Sequence, residues 1–407
     1  MSNQEPGQPH DQKPAAESEL YAHLGVSSAK HEVLASIVRA PDGLVPGAFC
    51  KVMPDILSGD PDYCVISHAD GAGTKSILAY VHYILNSDPN VFKGIAQDAI
   101  VMNLDDMICT GAVTRFALAS IVNRNAKRID ATVLRALVDG SLEFSQRMTD
   151  LGVEITHCGG ETADLGDIVR TLTVDSVMTA RLRRDDIIAN DIRPGLAIVG
   201  LASGGVPAAY EDSWNSGIGS NGLTFARHVL LGRLLDAQSS AQLVDDSLAD
   251  NAAYQGPYGV NDLLPGTDRT VLDALLSPTR TFAPVIAAIL GENRSRVRGL
   301  VHCSGGGQLK CLKFGHEMLY RKDLGQIEAP LFEELQRVSG LSWHELAKVF
   351  NLGIRLEVFC DPGAVDEILG ISRGFGVDAC VLGETLPARH GTALELTING
   401  VTSKFTG

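Results

Sequence analysis

At 407 residues the chain has room for two or three domains of ordinary size. Apolar residues make up 45% and charged residues 20%, an ordinary globular composition, and the formal charge of −15 argues against nucleic-acid binding, which needs a basic face. No stretch approaches the ~18 uninterrupted apolar residues of a membrane span, so a membrane is not expected as a partner either.

The first 20 residues are polar and proline-containing, with no apolar segment, and read as a disordered tail and not a signal peptide. A cytoplasmic location is expected. "YCVISHAD" is a β-branched run that ends in the small-residue turn Gly71-Ala72-Gly73. "DAIVMNLDDMICTGA" has helical apolar spacing and stops at Gly111, and "RFALASIV" reads as a strand. "DATVLRALVDGSLEFSQRMTDLG" is an amphipathic helix with Asp130 as N-cap and Gly152 past its last turn. "VEITHCGGET" reads as a strand entering a glycine-rich turn, and "TLTVDSVMTARL" as a long strand.

The charged stretch "RRDDIIANDIRPG" marks a domain boundary, giving units at 21–183 and 193–407. In the second unit "LAIVGLASG", "GLVHCSGGG" and "RLEVFCDP" read as strands, and "GLTFARHVLLGRLL" and "RTFAPVIAAIL" as helices. Residues 236–268 are polar and turn-rich, an excursion from the core. Helices and strands without strict βαβ alternation favour an α+β class. The eight cysteines form no CxxC pair and sit mostly in apolar runs, as buried free thiols do.

Several segments bear chemistry. The opening turn, "DGAGTK", is neither a Walker loop, which needs Gly directly before Lys, nor a dinucleotide fingerprint, since Ser76 stands where the third Gly belongs. Two readings remain: a phosphate turn with Asp70 as ligand and Lys75 as point charge, or a plain strand-to-helix turn. "NLDDMICTG" puts Asp105 beside Asp106. "HCGGETADLGD" gives Glu161 and Asp164 at i,i+3, one side of a helical turn. "HCSGGGQLK" offers three glycines after a strand, suited to a cradle of backbone N–H groups. Carboxylates, glycine turns and a lysine together suggest a Mg²⁺–nucleotide site.

"SHADGAGTK", "GGETAD", "GSNG", "SPTR", "HCSGGG" and "FNLG" resemble, in order and approximate spacing, the phosphoribosylformylglycinamidine cyclo-ligase (aminoimidazole ribonucleotide synthetase) family, from about Tyr21 to Leu386. The resemblance implies two α+β domains and a homodimer whose N-terminal sheets join into a barrel. It also implies ATP- and Mg²⁺-dependent closure of formylglycinamidine ribonucleotide to 5-aminoimidazole ribonucleotide in purine biosynthesis. The first unit would bind ATP and dimerise, and the second would bind substrate and phosphate. By position, the resemblance implies catalytic roles for Asp70, Lys75, Asp106 and His302. It places ATP or phosphate on Gly71, Gly73, Thr74, Lys75, Gly159, Gly160, Thr162, Ser304, Gly305, Gly306 and Gly307. Substrate falls to Ser220, Asn221, Gly222 and Asn351, and Mg²⁺ to Asp70, Asp105, Asp106, Glu161 and Asp164.

The chain departs from the family pattern at four places. Asp105 stands for an Asn and adds a negative charge, Gly219 takes a His position after the long segment "GGVPAAYEDSWNSGI", Ser304 replaces a Thr, and "QLKCLKFG" replaces an Asn-Ile-Pro-Arg continuation. The alternatives are another ATP-dependent enzyme of this superfamily with a different acceptor, or a non-catalytic nucleotide-binding homologue. The tail lacks the cysteine of a selenophosphate synthetase, and the chain ends "TSKFTG" without that of a hydrogenase-maturation factor. Asp70 and Lys75, whose loss would favour a silent homologue, are both present.

Overall fold

The computed structural model describes residue 24 and residues 43–232, 243–244 and 253–407. The expected tail and much of the polar stretch after 236 lie outside the described residues. The first sheet has strands β1 (Val52–Pro54), β2 (Tyr63–Gly71), β3 (Arg115–Arg124), β4 (Glu154–Asp164) and β5 (Leu172–Arg183), in the order β1-β2-β5-β3-β4. The helices of this half are α1 (Lys75–Asn86), α2 (Val91–Ile108) and α3 (Ala131–Asp150). β3 and β4 are parallel, joined by α3 as crossover, and the other pairs are antiparallel. Asp130 caps α3 as expected, accepting from Thr132 N and Val133 N.

Strict alternation along β5 sends Leu172, Val174, Ser176, Met178, Ala180 and Leu182 into the interior. The same period puts the next residues on the other face, which is only half-covered, and most of β4 is exposed.

In chain order, the second half contains β6 (Ala197–Ala202), α4 (Leu223–Leu230), α5 (Val271–Leu276), α6 (Ala283–Asn293), β7 (Val297–His302) and β8 (Met318–Asp323). It continues with α7 (Pro330–Ser339), α8 (Trp343–Leu346), β9 (Ile354–Cys360), α9 (Val365–Gly374), β10 (Ala379–Pro387), β11 (Ala393–Ile398) and β12 (Val401–Thr406). Its strands form one sheet, ordered β12-β11-β8-β10-β6-β9-β7, with only β8 and β11 parallel. Both apolar cores draw on both halves: one joins Leu78 and Phe92 to Ile198 and Phe225, the other Ile66 and Ile100 to Val199 and Phe282.

Two expectations need correction. "HCGGET" does not leave the sheet: β4 runs on to Asp164, and the glycines form a bulge, with Gly159 at φ +106° and one extra residue opposite Leu118–Ser120. A Cβ on Gly160 would stand 2.2 Å from Ser120 O, so only glycine lets the strands close there. The polar stretch is also not wholly outside the core, because Leu264 is buried and Tyr258 bridges to Leu231. Six of the cysteines are buried free thiols, while Cys158 is exposed and Cys380 half-buried. Among the described residues no helix is long and apolar enough to cross a membrane.

Candidate active site

The site is organised by α2, which is buried on nearly every side from Phe92 onward. Polar groups on such a helix must find partners within the protein. Asp98 Oδ1 accepts from Lys75 Nζ at 2.9 Å, Thr279 N at 2.8 Å and Thr279 Oγ1 at 2.5 Å. Lys75 also donates to Ser277 O at 2.7 Å. Burial lowers the Lys75 pKa and raises that of Asp98, each opposed by the other's charge. Two turns further along α2, Asp105 Oδ1 accepts from Thr281 Oγ1 (2.7 Å) and Phe282 N (3.1 Å), while its Oδ2 lies 3.2 Å from Arg355.

Asp106 is held between two histidines. Its Oδ1 is 2.5 Å from His302 Nδ1, and its Oδ2 is 3.3 Å from His68 Nε2. His302 Nε2 meets Arg355 Nη1 at 3.1 Å. Arginine can only donate, so Nε2 accepts and the ring hydrogen sits on Nδ1, donated to Asp106. Burial alone would raise the Asp106 carboxyl, but the His302 hydrogen bond, helped by positive charge at Lys310 and His68, outweighs it and holds the pKa low. His68 Nδ1 contacts Asn103 Oδ1 at 2.8 Å, and the Asn103 amide donates to Asp70 O, Ala99 O and both oxygens of Ser176. Among the described residues the Asp70 carboxylate has one hydrogen-bond partner, Gly71 N at 2.7 Å, and it is exposed at the mouth of the cleft. Surrounding protein desolvates it enough to raise its pKa against the Gly71 hydrogen bond, and the Asp106 charge adds to the rise.

Three loops converge on this cluster. A Cβ on Gly73 would lie 3.7 Å from Ser220 O, and Thr74 Oγ1 meets Thr224 Oγ1 at 3.0 Å. Ser220 Oγ meets Thr279 Oγ1 at 3.2 Å, and a Cβ on Gly305 would stand 3.4 Å from Asn221 Oδ1. The opening turn, the "GSNG" loop and the triple-glycine loop thus come together at one cleft, with Asp70 exposed at its edge and His302 buried behind Asp106.

A second feature lies along the first sheet. Asp70 pairs with Ser176, Ser176 with Ser120, and Ser120 with Gly160, one row across β2, β5, β3 and β4. Three strand spacings of ~4.8 Å make that row about 14 Å long. Beside it, between the sheet and α2 and α3, is a largely apolar pocket of about 330 Å³, edged by Gly159, Gly160, Glu161 and Thr162.

These two features can be set against known proteins. The AIR synthase related protein, N-terminal domain, matches residues 50–182, and the C-terminal domain of the same family matches residues 193–394. A phosphoribosylformylglycinamidine cyclo-ligase of Methanococcus maripaludis is 30% identical over 331 residues, covering 79% of this chain and 78% of that protein. The chain belongs to the AIR synthase related family. Cyclo-ligases of Methanocaldococcus jannaschii and Geobacter metallireducens are each 28% identical, covering 83% and 81% of those proteins and 84% and 81% of this chain. In fold, the chain is similar to phosphoribosylformylglycinamidine synthase II from Thermotoga maritima, with a TM-score of 0.53 and 14% identity over 95% of this chain, though it spans only 50% of that one. A HypE–HypF complex gives 0.52 and 12% identity, over 92% of this chain and 97% of that one.

Within this AIR synthase-family chain the expected site residues divide. Asp70, Gly71, Gly73, Thr74, Asp106, Ser220, Asn221, Gly222 and Ser304–Gly307 line or adjoin the cleft. Lys75 does not face it: the ammonium is fully buried and committed to Asp98 and Ser277, because α1 begins at this residue and turns it inward. His302 has no exposed surface, and both its ring nitrogens are engaged, one by Asp106 and one by Arg355. Asn351 is buried, binding Ser203 Oγ, Gly217 O and Gly353 N; it braces the segment leading to Ser220.

The five carboxylates expected to bind Mg²⁺ do not gather at one point. Asp105 is spent on Arg355, and Asp164 accepts from Arg124 at 2.7 Å. Glu161 sits one residue past Gly160, at the far end of the row from Asp70. Among the described residues no three His, Cys, Asp or Glu side chains are grouped to hold a metal. Asp70, exposed and with one hydrogen bond among the described residues, is the carboxylate whose free lone pairs fit a Mg²⁺ ion that would draw other ligands from phosphate and water.

The sequence reading missed His68, Asn103, Arg355 and the whole "SPTRTF" segment as parts of the site. His68 and "SPTR" stood inside quoted motifs. Nothing in the sequence signalled that every residue from Ser277 to Phe282 would bond across to α1, α2 or the 204–216 segment.

Proposed function

We propose that this chain closes the imidazole ring of formylglycinamidine ribonucleotide, using ATP, to give 5-aminoimidazole ribonucleotide. The observation that carries this reading is the convergence of the Asp70–Thr74 turn, the Ser220–Gly222 loop and the Ser304–Gly307 loop on the Asp106–His302 pair. Two anionic substrates have to meet in such a cleft, and the curated relatives that match most of its length carry the cyclo-ligase name.

The γ-phosphoryl group of ATP passes to the formamide oxygen of the substrate, making the attached carbon electrophilic. The amidine nitrogen attacks that carbon, the phosphate leaves with the oxygen, and loss of a proton completes the aromatic ring. In this reading Asp70 and Asp106 hold Mg²⁺, which supplies charge neutralisation on the transferring phosphate. His302 and His68 keep Asp106 ionised and aimed, and the Gly71–Gly73 turn lets backbone approach phosphate closely. The base of ATP takes the apolar pocket beside Gly159–Thr162, with the triphosphate lying along the Asp70–Gly160 row. The half-covered face of the first sheet is where a second copy docks, forming a homodimer.

Turnover on formylglycinamidine ribonucleotide with MgATP tests the proposal, following ADP and the aminoimidazole together. Equal, substrate-dependent formation of both is expected. ADP release without imidazole would move the chain to another acceptor.

A further inference from the structure

Two of the loops that meet at the cleft are tied to each other behind it. The backbones at Gly222 and Gly307 close on different parts of one residue, Phe350, which is 1% exposed. A Cβ on Gly222 would stand 2.2 Å from the Phe350 ring, and one on Gly307 would stand 2.6 Å from Phe350 O and 2.5 Å from Ala347 O. With φ at +75° and +55°, both positions require glycine. The next residue, Asn351, donates to Gly217 O at 2.9 Å and accepts from Ser203 Oγ at 2.9 Å, which fixes the segment entering Ser220.

Gln308 joins the glycine loop to that brace. It is fully buried, and each of its polar groups is engaged. Nε2 donates to Asn351 O (2.5 Å) and Ile354 O (2.8 Å), and the backbone N–H donates to Ala347 O (2.9 Å). Oε1 and the backbone O both accept from Lys322 Nζ, at 3.1 and 3.0 Å. Lys322 is itself paired with Glu357 at 2.6 Å, and all three side chains are buried. A buried amide with its donors and acceptor all used holds one position, since a shift strands polar groups away from water. Gln308 opens the "QLKCLKFG" segment, where this chain departs from its family, so the anchor belongs to this chain's own version of the loop.

The geometry points to Gln308 as a positioning residue: through Asn351 it keeps the Ser304–Gly307 loop aligned with the Ser220–Gly222 loop, so that the two present one preformed surface to the ribonucleotide. Gln308 acts through these loops and not by touching substrate. The coupling of the loops stands on the contacts alone; the ligand they hold together rests on the proposed function.

Hydrogen exchange of the full wild-type chain tests the coupling without any substrate. The Gly217 and Ile218 amides are bonded to Asn215 Oδ1 and Ser216 Oγ, and the Gly307 and Gln308 amides to Ser304 O and Ala347 O. The two pairs should open together, with the same denaturant dependence and protection within about threefold of each other. Gln308→Met keeps the volume and removes the side-chain amide. It should lower protection at Gly217 and Ile218 about tenfold, although the substitution lies in the other loop.

Steady-state kinetics then reads the positioning role. Gln308→Met should raise KM for the ribonucleotide about tenfold, as a displaced binding loop does, and leave KM for ATP within about twofold. A mere loss of folded molecules would lower the apparent kcat and move neither KM. Independent opening of the two loops in wild type overturns the inference, as does a folded Gln308→Met with an unchanged ribonucleotide KM or an equal rise in both KM values. If Gln308→Met does not fold, the wild-type exchange alone decides. Coupled opening in a chain that never makes imidazole would keep the tie between the loops and reject the proposed function.

Discussion

Asp105 and Arg355 meet at 3.2 Å with almost no exposed surface on either side chain. The extra negative charge that this chain carries next to Asp106 is therefore neutralised inside the protein and is not offered to a second metal ion. Arg355 in turn donates to His302, which donates to Asp106, so the substitution is wired into the orientation of the cleft carboxylate. Asp105→Asn should leave Arg355 buried without its counter-charge, costing about 3–5 kcal/mol in denaturant unfolding. The Mg²⁺ concentration giving half-maximal turnover should stay where it is; a shifted Mg²⁺ titration in a folded variant would return Asp105 to the metal.

Lys75 looks in the sequence like a phosphate ligand whose removal would spare the fold. Its burial against Asp98 reverses that expectation. Lys75→Ala should lose about 3–5 kcal/mol of stability, because a buried carboxylate is left unpaired. Lys75→Met combined with Asp98→Asn should recover much of it. Thermal unfolding of wild type and the two variants decides the matter, and wild-type stability in Lys75→Ala would restore the phosphate role.

Asp70 offers the opposite case. It is exposed at the cleft mouth and, among the described residues, bonded only to Gly71 N, so Asp70→Asn should melt within a few degrees of wild type. Its turnover should nevertheless fall about 100-fold or more, as expected when charge facing a phosphoryl transfer is removed. Near-normal kcat would take Asp70 out of the site.

His228 makes stability depend on pH. Burial, aided by the Arg227 charge, pushes its pKa down to about 3 from an ordinary 6.5, and its Nδ1 accepts from Tyr254 N while Nε2 finds no partner. A group with a depressed folded pKa and an ordinary unfolded one stays neutral in the native state while the unfolded chain takes up a proton. Its contribution is complete above pH 6.5 and is lost as pH falls towards 3. At pH 5 the loss amounts to about 2 kcal/mol. Unfolding free energies of wild type and His228→Gln, measured from pH 7.5 to 5, should converge by that amount; parallel curves would exclude His228 as the cause.

Strands and helices with strong periodicity could be read directly: α3 with its Asp130 cap, β3, β5, β7 and β9 stand close to where alternation or helical spacing puts them. The glycine loops could be read as well, because glycine in series has few uses other than close backbone approach. What stayed hidden was direction. Lys75 and Asp105 carry the right chemistry in the right motif, but which way a side chain leaves the backbone depends on what packs against it. The "GGET" stretch failed for another reason: glycine signals a turn in sequence, whereas a neighbouring strand can turn the same residues into a bulge. β8, β10, β11 and β12 went unread, since their pairing is set by partners distant in the chain. His302 could be placed beside the glycine loop, but only its buried contact with Arg355 shows that the ring has no free nitrogen.

The Ser277–Phe282 segment has a consequence for how the molecule comes apart. Thr279 satisfies Asp98, Thr281 and Phe282 satisfy Asp105, Ser277 receives Lys75, and Arg280 grips Glu211 and the carbonyls of Ala202 and Gly204. Peeling the halves apart would strand two carboxylates and an ammonium in a dry helix interface at once. The two sheets should therefore melt in one calorimetric transition, and the first half expressed alone should be insoluble or unfolded, however self-contained its sheet looks on paper.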